Sequence, residues 1–242
     1  MKKILLLLCL FSCIAAQAFD EEVLVEENNI QTRINNMGTH ILNSNKLDKR
    51  VIFAYDEADR NSILKNTDAL TKRQVVIFAS AYKNIETDDE LAAYISREIY
   101  AANSSYISRE IPAAIRSYDG LGNGWLSSVK IKAAPKKYEL VFDKLAVDYM
   151  VQAGYNPLGL ITFIQKTCPQ TRQDKISDKN LTSKRLAHIY ERIYTQYPSF
   201  LKNNTYLDNK YYQNFLLTSQ ENRKLFLDKV RSGDMKKRVK YE

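Results

Sequence analysis

Residues 87–101, Thr-Asp-Asp-Glu-Leu-Ala-Ala-Tyr-Ile-Ser-Arg-Glu-Ile-Tyr-Ala, constrain the fold of this chain more than any other stretch. Thr87 followed three residues later by Glu90 is a capping box. The hydroxyl of the first accepts a backbone N–H of the opening turn, and the glutamate reaches back to satisfy another. Asp88 and Asp89 add negative charge to the positive end of the helix. Leu91, Ile95 and Ile99 recur at i, i+4 and i+8, which predicts a helix buried along that stripe. A helix with a fixed start and a fixed apolar face belongs inside a domain.

The surrounding chain supplies the rest of such a domain. Leu24, Ile30, Ile34, Met37 and Ile41 fit an amphipathic helix from Glu22 to about Leu42, with Gly38 near its expected end. Val51, Phe53 and Tyr55 alternate with Ile52, Ala54 and Asp56, and residues 75–79 are apolar and β-branched, so two strands are expected. The glycines of residues 119–125 lack the strand-to-helix setting and lysine of a phosphate loop and read as an ordinary loop. A helix around Glu139 follows, and Asn156-Pro157 opens the next as N-cap and first residue. Further helices are expected from about Thr182 to Tyr197, stopping before Pro198, and from about Asn209 to Val230. This order predicts a mostly helical α+β domain with a small β-sheet.

At 242 residues the chain can bury one sizeable core. Met1-Lys-Lys, the apolar run from Ile4 to Phe11 and Ala16-Gln17-Ala18 are the three parts of a secretory signal peptide. They predict a leader of residues 1–18, a single domain over 19–242, and a periplasmic or extracellular location. Lipoprotein processing at Cys13 is the alternative, although Phe11 fits that signal poorly. No later segment offers the ~18 apolar residues of a membrane helix. Cleavage leaves Cys168 as the one cysteine, so no internal disulfide can form. The net charge of +8, lowered by two when Lys2 and Lys3 leave, is spread among acidic residues, which argues against nucleic acid as a partner. Its one dense cluster, Lys236 to Lys240, reads as a solvated terminus.

Four segments resemble, in order, the HtpX and CAAX-endopeptidase family of gluzincin zinc metallopeptidases. Ile85 to Ala93 is similar to the lead-in to that family's HExxH helix. Tyr138-Glu-Leu-Val-Phe-Asp-Lys-Leu-Ala146 is similar to its ExxxD motif, Gln152-Ala-Gly-Tyr-Asn-Pro157 to its AGYNP turn, and Leu181 to Ile193 to a later helix. The resemblance covers roughly residues 50–197 and leaves 198–242 as a helical extension. It implies a gluzincin-like fold. HExxH works because histidines at i and i+4 share one helix face and grip one zinc while the glutamate activates water. At those positions this chain has Arg97, Glu98 and Ala101, and Lys179 and Asn180 replace a later His-Pro pair. By the resemblance Glu98 is a vestigial general base, Glu139 the one remaining family zinc ligand and Asp143 its supporting acid.

A catalytic zinc needs about three protein ligands. His40 and His188 are far apart in the chain and each stands alone, and Cys168 lacks a paired base. Guanidinium donates only, so Arg97 cannot bind a metal. The chain is therefore expected to carry no cofactor and to act as an inactive pseudo-peptidase that binds a peptide or protein partner, with strand addition at a sheet edge as the mode the resemblance implies. An active metalloendopeptidase with an unusually completed zinc site and a structural envelope component are the rival readings. With no ion present, Arg97 is expected to pair with Glu139, with Asp143 or Glu98 sharing it.

Overall fold

The structure is a computed structural model and describes residues 29–47, 51–56, 74–103, 140–167, 181–234 and 239–241. Helix α1 covers 29–44 and α4 covers 140–152. The other elements are β1 (Ile52–Asp56), β2 (Gln74–Phe78), α2 (Ala79–Tyr82), α3 (Asp88–Asn103), α5 (Leu158–Thr167), α6 (Leu181–Gln196), α7 (Ser199–Lys202), α8 (Lys210–Thr218) and α9 (Gln220–Arg231). The described chain is mostly helical with one small sheet, an α+β arrangement.

The two strands run parallel, with Phe53 opposite Val75 and Tyr55 opposite Ile77. Side chains alternate across a strand, so Phe53, Val75 and Ile77 fall on the buried face, while Ile52 on the other is 58% exposed. Gly38 lies within α1 rather than at its end. A Cβ there would stand 2.4 Å from Phe53 Cζ, so the missing side chain is the seat of that ring. Ala79, expected in the second strand, instead opens α2.

The capping box forms at α3, with a change. Glu90 N–H donates to Thr87 Oγ1 at 3.2 Å, while the Glu90 carboxylate accepts from Glu86 N–H, one residue further back, at 2.8 Å. Glu90 is also fully buried, bonded by Thr162 Oγ1 and Lys166 Nζ of α5, each at 2.8 Å. The cap thus doubles as a polar bolt between two helices. Leu91, Ile95 and Ile99 are all fully buried, as the stripe predicts.

Residues 158–165 of α5 are buried all round, the pattern of a central helix. It packs against α3, α6 and α8. Its approach to α3 is close because position 159 is glycine: a Cβ there would lie 2.6 Å from Asp89 Cβ and 2.8 Å from the Asp89 carbonyl carbon. The turn before it closes α4 with a Schellman pair, Tyr155 N–H to Met150 O and Gly154 N–H to Val151 O, and Gly154 takes the required positive φ of 82°. Asn156 Oδ1 then accepts from Leu158 N–H at 3.0 Å, the N-cap expected from the sequence.

The helix expected over 209–230 is two helices. The chain bends at Ser219 (φ −103°, ψ 10°), and Arg223 donates to Leu216 O at 2.7 Å and to Ser219 Oγ at 3.1 Å. Those bonds satisfy a carbonyl and hydroxyl that the break leaves over. Residues 22–28, 104–139 and 168–180 lie outside the described residues; with them go the glycine-rich loop, Glu139, Cys168 and Lys179.

Helix α6 is tied to α9 and the end of the chain through Glu191. Lys229 Nζ donates to one carboxylate oxygen at 2.8 Å and Tyr241 O–H to the other at 2.5 Å. Burial raises the Glu191 carboxyl, but these bonds and the charges of Lys229 and His188 outweigh it, so the group titrates below its usual value of 4.5. A lowered acid in the folded state stabilises at neutral pH and loses that contribution as pH falls through its folded value. Melting temperature should therefore drop on acidification below about pH 4.5, and Glu191→Gln should flatten that drop while lowering stability at pH 7. Parallel acid limbs in the two proteins, by calorimetry, would show that Glu191 carries none of it.

Candidate functional site

Three helices bring one buried acid and two arginines together. Helix α3 presents Arg97 from the turn after the Leu91–Ile95 stripe. Helix α4 presents Asp143, and α6 presents Arg185 beside Leu186. Arg97 Nε donates to Asp143 Oδ1 at 2.8 Å. Arg185 makes a fork on the same carboxylate, Nε to Oδ2 at 2.6 Å and Nη2 to Oδ1 at 3.0 Å. Asp143 is wholly buried, Arg185 5% exposed and Arg97 9% exposed. Buried charges persist only when paired and hydrogen-bonded, and the fork is the geometry in which guanidinium fits a carboxylate best.

Further along α4 and α6, Asp148 repeats the arrangement. Arg192 Nε and Nη2 donate to its two oxygens at 3.0 and 2.7 Å, and Tyr197 O–H adds a third bond at 2.9 Å. Along the α3–α4 seam beside the triad, Tyr100 packs against Phe142 at 5.6 Å between ring centres and against Tyr149 at 6.5 Å. Burial, then the neighbouring Tyr100 and Asp148, push the Tyr149 hydroxyl above its usual value. Glu98, beside Arg97 in α3, is half-buried. After burial, its charge is the main influence that raises the Tyr94 hydroxyl one turn earlier.

Arg97 thus pairs with Asp143. Glu139, named first as its expected partner, lies outside the described residues, as does Lys179. Ala101 is one turn beyond Arg97 on α3. The two histidines take no part. His40 Nε2 sits 2.9 Å from Ala153 O, and the ring of His188 meets Tyr241 edge-on at 4.9 Å, with Nδ1 3.8 Å from Glu191. Of the positions singled out by the resemblance, the described Arg97 and Asp143 do not suit a zinc ion. Arg97 offers donors only, and both oxygens of Asp143 already accept from guanidinium. Among the described residues no three His, Cys, Asp or Glu side chains are grouped as a metal ion would require. Also among the described residues, no helix is long and apolar enough to cross a membrane.

The residue that sequence reasoning missed is Arg185. A charged position in an amphipathic helix reads as solvated unless a buried partner is known. The available signal was its neighbourhood: Arg185 precedes Leu186 and lies four residues before Ile189, both buried. Comparison with protein-family models, with curated proteins and with solved structures gives no match.

Proposed function

We propose that the protein is an exported pseudo-peptidase, a gluzincin-like metallopeptidase scaffold that binds a peptide or protein partner without hydrolysing it. The observation that carries the reading is the bond between Arg97 and Asp143. These residues stand where the resembling family has a zinc-binding histidine and the acid that supports the site. Here a permanent cation supplied by the chain faces that acid, and Arg185 completes its pairing. On this reading Glu98, the remaining member of the motif, would have no metal-bound water to activate. The half-buried aromatic seam of Tyr100, Phe142 and Tyr149 beside the triad is a surface suited to apolar side chains of a partner. Export follows from the leader-like first 18 residues, with the mature chain starting at Phe19.

Metal analysis of the purified mature protein tests the reading, together with a melting curve taken with and without chelator. The expected result is sub-stoichiometric zinc and an unchanged melting temperature, since an ion that holds no part of the fold cannot stabilise it. A peptide array should show capture, and a general protease assay no cleavage. About one zinc per chain, or chelator-sensitive cleavage, would replace this reading with that of an active metalloendopeptidase. An array with no captured peptide would favour a structural role.

A further inference from the structure

Among the described residues no strand lies beside the outer edge of β1, and a side chain occupies that edge. Helix α1 packs on the buried face of the sheet, where Gly38 seats Phe53 and Arg33 bonds Tyr82, whose ring meets Tyr55 edge-on. From that helix Gln31 reaches to the backbone of β1. Its Oε1 accepts from Tyr55 N–H at 2.7 Å and its Nε2 donates to Phe53 O at 3.1 Å.

That pair of bonds has a specific meaning. In a parallel ladder one residue of the neighbouring strand accepts the N–H of a residue and donates to the C=O of the residue two positions earlier. The carboxamide of Gln31 reproduces both bonds with one side chain. Its orientation is held by Asn35, one helical turn on, whose Oδ1 accepts from the same Nε2 at 3.0 Å. On the other strand, Tyr94 O–H donates to Val76 O at 3.2 Å.

We infer that Gln31 is a built-in strand surrogate that closes the edge of β1, and that the partner it excludes is a second copy of this chain. Unsatisfied edge groups are a template for another strand, and a strand of the same sequence is present at the protein's own concentration. β1 would make an effective template. Its sequence, Ile-Phe-Ala-Tyr-Asp, is strand-prone and carries a single charge, at its end, and Ile52 is already 58% exposed beside the rim. The inference does not depend on the pseudo-peptidase reading. It does redirect one expectation attached to it, because an extended partner cannot add to β1 while Gln31 is in place.

The test uses the full-length protein and two variants, Gln31→Ala and Gln31→Met, the second keeping length and packing while removing both polar atoms. Hydrogen exchange at the Tyr55 amide and sedimentation velocity over a concentration series are measured, with circular dichroism as the check on folding. In folded variants the Tyr55 amide should exchange about tenfold faster in dilute solution, and a species of twice the wild-type mass should grow with concentration. Wild-type exchange at Tyr55, or a mass distribution like that of the wild type, in a folded variant would overturn the inference. Should both variants unfold, the wild-type protein still decides: a Tyr55 amide that exchanges as fast as an exposed loop amide would mean that Gln31 guards nothing, and a protected one sustains the assignment.

Discussion

Asp143→Ala is expected to be the most damaging single substitution, costing about 3–5 kcal/mol of folding stability. The carboxylate is fully buried and is the acceptor for Arg97 and for both arms of the Arg185 fork. Its removal strips these three bonds from two guanidinium groups that remain in a nearly dry setting. Neither arginine can relieve the cost by losing its proton. Removing one partner of a buried ionic cluster is therefore far worse than removing the whole cluster. The triple variant Arg97→Met, Asp143→Leu, Arg185→Met should recover most of the loss, because apolar residues of similar volume often replace buried ion pairs at little cost. Urea denaturation of the single and triple variants checks both halves. An Asp143→Ala protein within about 1 kcal/mol of the wild type would mean that the cluster is solvated in practice.

Gly159→Ala is the second large effect, and here two tendencies oppose each other. Alanine favours a helix over glycine by about 1 kcal/mol, which taken alone predicts stabilisation. The added Cβ would stand 2.6 Å from Asp89 Cβ, 2.8 Å from its carbonyl carbon and 3.0 Å from its carbonyl oxygen. Two of these three atoms are backbone, and they belong to a helix that cannot swing aside. Asp89 is pinned by Asn156 N–H at 2.9 Å and by Tyr206 O–H at 2.7 Å, one on each carboxylate oxygen. Helices α3 and α5 would have to separate, straining Glu90 with its bonds to Thr162 and Lys166. Overpacking of this kind costs about 1–3 kcal/mol and occasionally more, so the clash should outweigh the propensity gain. At Gly38 the obstructing atoms are those of the Phe53 ring, which can tilt, so alanine should be better tolerated there. A Gly159→Ala protein that melts higher than wild type would show that the helices part easily.

What the sequence made legible follows the range of each interaction. The start of α3 is written in neighbouring residues, and it appears with Leu91, Ile95 and Ile99 all buried. The turn at residues 152–157 is equally local, since one glycine at positive φ and one Asn–Pro step define it. The partnership of Arg97 with an acid was legible only through the resemblance, which puts a cation at a zinc-histidine position facing the motif's acids. Which acid it meets was decided by geometry that no spacing encodes. Arg185 stayed hidden for the same reason, as its role exists only once α6 lies against α4. The parallel pairing of β1 and β2 is likewise long-range, for alternation marks a strand without saying which way its neighbour runs. The break at Ser219 escaped notice because no glycine or proline marks it. Arg223, four residues on, supplies the bonds that make the bend affordable.

The forks on α4 and α6 have a mechanical consequence. Asp143 and Asp148 are five residues apart, whereas Arg185 and Arg192 are seven apart, about 7.5 Å and 10.5 Å along their axes at 1.5 Å per residue. Unequal divisions on two sliding scales coincide at one setting only, which is the principle of a vernier. Shifting either helix by one residue turns its side chains by about 100°, and both forks would open together. Neighbouring alignments that a purely oily seam would tolerate are thereby excluded. The pair is expected to lock as one rigid body, with its register decided in a single cooperative step.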